Sequence, residues 1–224
     1  MQKKLILRLA SLASGILGLG ILAYVLFPIV SYEFISARDF PKLLVPVNQN
    51  GNGTLGDSLS SSDLTKASNW FPGAKDPEDF DVSKVAFYTI SIPKLKIENA
   101  TVAIGGEDLS KSLIQYPGTA LPGRPGNTVI FGHSILPQFY DPKDYLAIFS
   151  TLPQLKKGDE ITINYDGITY KFKVETLFEI SPSDLDVLEQ GFSEPYVSLV
   201  TCVPPGHPLK PRRLIVRAKI VPFL

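Results

Sequence analysis

The sequence predicts a mainly β domain, a closed or nearly closed barrel with a few short helices, carried behind one N-terminal membrane helix. Three observations predict it. Short β-branched and aromatic runs recur through the C-terminal two thirds of the chain, Gly- and Pro-rich turns separate them, and a long uncharged apolar stretch stands near the N-terminus. Many short strands with few helical stretches favour a barrel over a layered α/β fold.

Taken in order, residues 1–8 carry Lys3, Lys4 and Arg8 and are expected on the cytoplasmic side. Residues 9–32 hold no charge over 24 positions. As a helix that stretch is about 36 Å long, enough for a hydrocarbon layer of about 30 Å. Basic residues before it, with Glu33, Arg38 and Asp39 after it, favour an N-terminus inside and the remainder outside. An uncleaved anchor is preferred to a signal peptide. A signal peptide has an apolar core of about 7–15 residues and a small-residue cleavage site, for which Ser36-Ala37 is a poor candidate. Residues 33–84 read as a flexible extracytoplasmic linker, polar and glycine-rich at 48–54 and serine-rich at 58–62. Within it Trp70-Phe71-Pro72-Gly73 is an aromatic exception, expected to dock locally on the domain.

The domain is expected over residues 85–224. Strands are expected at 87–92, 101–104 and 127–132, the last ending at His133. A short helix is expected at 107–115 with Asp108 near its start. Another is expected at 183–190 with Ser183 as cap, and a helical turn at 152–155. Residues 160–165 and 168–174 flank Asp166-Gly167, a strong two-residue hairpin signal. The last two strands flank the loop from Pro204 to Pro211.

Composition narrows the chemistry. Net charge is zero and the pI near 6.7, so there is no basic footprint for nucleic acid. The single cysteine excludes an internal disulfide and a multi-cysteine zinc site. That cysteine, Cys202, closes the strand Tyr196-Val197-Ser198-Leu199-Val200-Thr201 just before Pro204-Pro205-Gly206. A thiol attacks an amide well only as thiolate, and an ordinary cysteine has a pKa near about 8.5, so a cation or base must stand beside it. His133 ends one strand as Cys202 ends another. His207, the second histidine, lies in the proline-flanked loop and reads as a solvated loop residue or a groove-wall contact. Arg212 and Arg213 open the final strand, and adjacent strand residues face opposite sides, so only one of them faces the thiol. Arg217 shares a face with Arg213 and reads as a solvent-exposed cation.

Three motifs together resemble the sortases, the membrane-anchored cysteine transpeptidases of bacterial cell surfaces. They are Gly126-Asn127-Thr128-Val129-Ile130-Phe131-Gly132-His133, Leu199-Val200-Thr201-Cys202, and Arg212-Arg213-Leu214-Ile215-Val216. They stand in the family's order of histidine, cysteine and arginine, and Ile92-Pro93-Lys94-Leu95 is a further shared segment. The similarity runs from about residue 90 to 220. The resemblance implies a sortase-type β-barrel with Cys202 as nucleophile, His133 as general acid and base, and an arginine that stabilises the oxyanion. Arg213 is preferred for that last role because it immediately precedes the apolar run, with Arg212 as the alternative. It implies cleavage of a C-terminal Leu-Pro-x-Thr-Gly-like sorting signal and transfer of the acyl group from a Cys202 thioester to an amine. That amine is a cell-wall precursor or a pilin lysine, and water takes its place in its absence. No cofactor and no metal are expected. Glu107 and Asp108 lie where some sortases bind calcium, and two adjacent acids are a weak signal. Asp141 and Asp144 are read as loop charges. Some pilin-type members carry an inhibitory lid, and the segment around Trp70 shows no clear signature of one. The competing reading is a non-enzymatic surface barrel with an inert cysteine. Papain-like proteases and the L,D-transpeptidases fail on residue order and motif.

Overall fold

The computed structural model describes residues 2–40, 65–71 and 87–222. The polar stretches of the expected linker, at 48–54 and 58–62, lie outside the described residues, as do Pro72 and Gly73. One helix, α1 (Gln2–Asp39), precedes eight strands: β1 (Phe87–Ile92), β2 (Ile97–Ile104), β3 (Leu113–Gln115), β4 (Gly126–Phe131), β5 (Glu160–Tyr165), β6 (Ile168–Ile180), β7 (Pro195–Val203) and β8 (Arg212–Ile220). They close a barrel in the order β1-β2-β3-β4-β7-β8-β6-β5. The pairs β2/β3 and β4/β7 are parallel and the other pairs antiparallel. A closed sheet leaves no unpaired edge.

The β5/β6 hairpin turns on Asp166 and Gly167, with φ of 50° and 74°. Positive φ at both central residues is what a two-residue turn matched to the strand twist requires, and Gly adopts it without steric cost. The turn at 152–155 is present as a 3₁₀ turn (Leu152–Gln154). Two expected helices are not. Where a helix was expected over 107–115 the chain makes a turn and then β3. Leu113 and Ile114 are both fully buried, and they pair with β2 on one side while Ile114 pairs with β4 on the other. Asp108 caps no helix. Its Oδ1 accepts Ser110 N at 3.0 Å and Ser110 Oγ at 2.5 Å, a local turn that competes with helix formation. At 183–190 only a 3₁₀ turn (Asp186–Leu188) forms, and Ser183 Oγ lies 3.0 Å from Ser181 Oγ in place of capping.

Alternation along the strands sorts the core into two clusters. On β7, Val197, Leu199 and Val203 join Ile90, Ile97, Phe149, Phe172 and Val216, whereas Val200 and Cys202 join Phe131, Tyr116, Ile215 and Trp70. The second cluster lies on the face that carries the thiol.

α1 is long and apolar enough to cross a membrane, and its apolar stretch is not buried by the rest of the chain. It continues to Asp39, past the expected end of the span at residue 32. Its last turns lie on the barrel. Tyr32, Ser36 and the following Phe40 are all buried. The anchor is Glu179 of β6, 2% exposed, which accepts Tyr32 Oη and Ser36 Oγ at 2.6 Å each and pairs with Arg212 Nε at 3.0 Å. Glu33 pairs with the same guanidinium at 2.6 Å. A buried carboxylate is stable only with its charge paired and its lone pairs filled, and the end of α1 supplies two of the donors. Two parts of the expected linker, 33–40 and 65–71, are thus packed on the barrel.

Gly132 sits between β4 and His133. A Cβ there would lie 2.6 Å from Leu113 Cδ2 and closer still to the Phe149 ring. Gly132→Ala should therefore destabilise the domain by about 1–3 kcal/mol through overpacking, read as a lower denaturation midpoint with an unchanged m-value.

Candidate active site

Two ladders meet at β7 and assemble the site. β4 and β7 run parallel with Phe131 opposite Val200, so two residues further, past Gly132 and Thr201, His133 comes level with Cys202. Three hydrogen bonds extend this pairing past the end of β4. Gly132 N donates to Val200 O at 3.1 Å, Thr201 Oγ1 to Gly132 O at 2.8 Å, and Ser134 Oγ to Cys202 O at 2.6 Å. On the other side β7 and β8 are antiparallel, with Cys202 directly opposite Arg213. Residues directly opposed across an antiparallel pair share a face with Cβ atoms about 4.5–5.5 Å apart. Histidine, cysteine and arginine, 80 residues apart at their extremes, are brought to adjacent strand ends on one face.

The register separates the two arginines. Arg213 is 1% exposed on the thiol face. Arg212 points to the other face, where Glu33 and Glu179 neutralise it. The Arg213 guanidinium has no such partner among the described carboxylates. Its amino groups donate only to carbonyls: Lys210 O at 3.0 Å, Arg212 O at 3.3 Å and Trp70 O at 3.3 Å. Its Nε is buried with no acceptor. Burial lowers the Arg213 pKa and the facing thiol raises it. The thiol itself is 1% exposed. Burial pushes its pKa up, and Arg213 and Lys210 pull it partly back.

Trp70 closes the site. The 3₁₀ turn Ala67–Trp70 is tied to the segment after β2 by Ala67 N to Glu107 O at 3.1 Å and Leu109 N to Thr65 O at 2.9 Å, with Lys66 bridging Asp108. These contacts account for the position of Glu107 and Asp108. Among the described residues no group of three His, Cys, Asp or Glu side chains could hold a metal ion. The Trp70 indole is fully buried and stacks on Phe131 with centroids 5.3 Å apart at 10°. It lies 5.8 Å from the His133 ring and 5.4 Å below the Arg213 guanidinium. Phe71 packs on Phe131 beside it. The docking expected for this segment therefore occurs on the site itself. The one signal in the sequence was a sole tryptophan in a polar stretch. Ser134, which holds the Cys202 carbonyl, gave none.

Other residues weighed from the sequence lie elsewhere. His207 is half-buried and its Nδ1 accepts Leu209 N at 3.1 Å within its own loop. Asp141 and Asp144 accept Lys143 N and Leu146 N, each at 2.9 Å, in local turns. Arg217 is not the solvent-exposed cation expected. Its Cζ lies 5.2 Å from the Phe178 ring and 5.1 Å from Phe192, and its Nε donates to Ser198 Oγ. Flanking aromatic faces stabilise a partly desolvated guanidinium.

Residues 90–221 match the family model of the Sortase domain. No curated protein matches in sequence. The Clostridium perfringens sortase D5 transpeptidase is 28% identical with a TM-score of 0.52, over 65% of this chain and 84% of that one. The Actinomyces oris sortase C-1 is 28% identical with a TM-score of 0.54, over 63% and 77%. The pilus-related sortase C of Group B Streptococcus is 30% identical with a TM-score of 0.53, over 64% and 71%.

Removing the indole should hydrate the thiol and lower its pKa, since burial is what raises it. Trp70→Ala should speed iodoacetamide labelling of Cys202 at neutral pH by about tenfold for each unit of pKa relieved. Its pH profile should move to lower pH than that of the wild type. Intact-mass kinetics across a pH series reads both, and equal profiles would show that the indole does not cover the thiol.

Proposed function

The chain belongs to the sortase family of cysteine transpeptidases, and from that premise we propose that it cleaves a C-terminal Leu-Pro-x-Thr-Gly-like sorting signal and transfers the acyl part to an amine. The observation that carries the reading is the buried guanidinium of Arg213. It faces Cys202 across one ladder step and, among the described residues, has no carboxylate partner and no acceptor for its Nε–H. A buried cation without a counterion suits a site in which negative charge appears only during reaction.

The Cys202 thiolate attacks the carbonyl carbon of the Thr–Gly bond. The C–S bond forms and the carbonyl π electrons move to oxygen, where Arg213 donates to the new oxyanion. As the oxyanion collapses, the C–N bond breaks, and His133 as imidazolium gives its proton to the leaving glycine amine. The acyl group then remains on sulfur as a thioester. An incoming amine, from a wall precursor or a pilin lysine, loses a proton to His133 and attacks the thioester, and the thiolate leaves. Water in place of the amine gives hydrolysis. Trp70 stands over this centre, so substrate entry requires the 65–71 segment to move aside, and we assign it as an inhibitory cover. α1 serves as a single-pass anchor with the N-terminus cytoplasmic and the barrel outside, in keeping with Lys3, Lys4 and Arg8 before the span.

With sorting-signal peptides and the full chain, the expected product is an adduct on Cys202 together with release of the glycine-side fragment, followed by mass spectrometry. Cys202→Ala and His133→Ala should give no turnover. Arg213→Ala should lose about 10²–10³ in kcat, the cost of removing one oxyanion donor, whereas Arg212→Ala should keep kcat within about tenfold because its partners lie on the other face. The absence of an adduct in both the wild type and Trp70→Ala, together with an unreactive thiol, would leave a non-enzymatic surface barrel.

A further inference from the structure

The loop that leads away from His133 returns to the membrane helix. Its 3₁₀ turn, Pro137–Phe139, lies beside α1. Pro137 and Gln138 form one wall of a groove of about 570 Å³, and Ala23, Tyr24, Phe27 and Pro28 form the other. Phe139 at the end of the turn is 60% exposed, and Phe27 and Tyr24 are 72% and 61% exposed. The turn is not loose. A Cβ on Gly206 would meet Leu136 Cγ at 2.5 Å, so the loop after Cys202 backs it closely.

The depth of this groove follows from α1. Beyond Pro28 one side of the helix gives Tyr32 and Ser36 to Glu179, while Val30, Phe34 and Ile35 on its other side stay exposed. About 20 helical residues cover a hydrocarbon layer of about 30 Å. Counted back from Tyr24 they end at Lys4, and from Pro28 near Arg8, so basic residues stand at the inner boundary. The outer boundary falls at Tyr24 to Pro28, where an aromatic ring with a polar end is suited to the interface. The helix side of the groove carries exposed Tyr24 and Phe27, and its lining is apolar apart from Gln138, whose amide atoms are buried without a hydrogen-bond partner among the described residues.

We propose that the 136–140 loop docks into the outer leaflet, with Phe139 as its inserted tip and lipid chains filling the groove between it and α1. This rests on the anchor reading above. The Glu179 contacts hold the barrel in the orientation that puts this loop on the bilayer. The mouth of the site beside His133 then opens at the membrane surface, where a polypeptide still held in the membrane presents its cleavage site.

The test uses the full chain with Cys202→Ala, which removes the native thiol, in vesicles of phosphatidylcholine and phosphatidylglycerol. Single cysteines at Phe27→Cys, Phe139→Cys and Ile168→Cys carry a bimane label, and lipids brominated at defined chain positions quench it. Ile168 is the control, an apolar residue 48% exposed at the β5/β6 hairpin. The expected result is strong quenching at 27 and 139, and at least threefold less at 168. Quenching at 139 equal to that at 168, with 27 quenched, would overturn the proposal and leave the anchor standing. A blue shift at 139 that does not respond to brominated lipid would point to a protein partner on this surface and would also overturn it. An unquenched label at 27 would remove the anchor and the proposal together.

Discussion

The parallel pairing of β4 with β7 is the constraint on which the rest of the molecule depends. In a parallel pair both strands end at the same edge of the sheet, so the residues that follow them emerge side by side. Phe131 opposite Val200 brings His133 level with Cys202, and the antiparallel neighbour β8 then sets Arg213 across from the thiol. A slip of one residue on β8 would exchange Arg213 for Arg212 on this face. The register is protected on both sides. Leu214 and Val216 fill one core cluster and Ile215 the other, and Arg212 is held on its own face by Glu33 and Glu179.

This arrangement divides the electrostatic work between two neighbouring cations. Arg212 is neutralised and joins α1 to the barrel. Arg213, one residue on, is buried and among the described residues meets carbonyls and the Trp70 ring in place of a carboxylate. Such a guanidinium is costly in the resting fold, because its desolvation is repaid by dipoles and a ring face without a counterion. Trp70 offsets part of that cost through its ring face and its carbonyl. Trp70 and the cation therefore stabilise each other, and displacing the 65–71 segment would remove one acceptor from the arginine.

Glu179 extends the same logic away from the site. A carboxylate buried on a strand of the barrel binds Tyr32 and Ser36 of α1 and Arg212 of β8 at once. The helix is thereby joined to the strand that carries Arg213. A barrel held in this way has a defined orientation relative to α1, whereas a polar stalk alone would leave it free.

Much of this was legible in residue order. The strand patterns, the Asp166-Gly167 turn, the apolar span and the strand-end positions of His133 and Cys202 all follow from local periodicity and from Gly and Pro chemistry, which act over a few residues. The choice of face for adjacent arginines was legible as an either-or, because alternation says that they part but not which way each points. Cross-strand register decides that, and register is a property of two segments far apart in the chain. The failed helices at 107–115 and 183–190 have the same cause, since the pairing of Leu113 and Ile114 with distant strands outweighs a weak local preference. Trp70 against His133 and Arg213, Glu179 against the end of α1 and the 136–140 loop beside α1 were decided only by tertiary structure, because each depends on surfaces that exist once the barrel has closed.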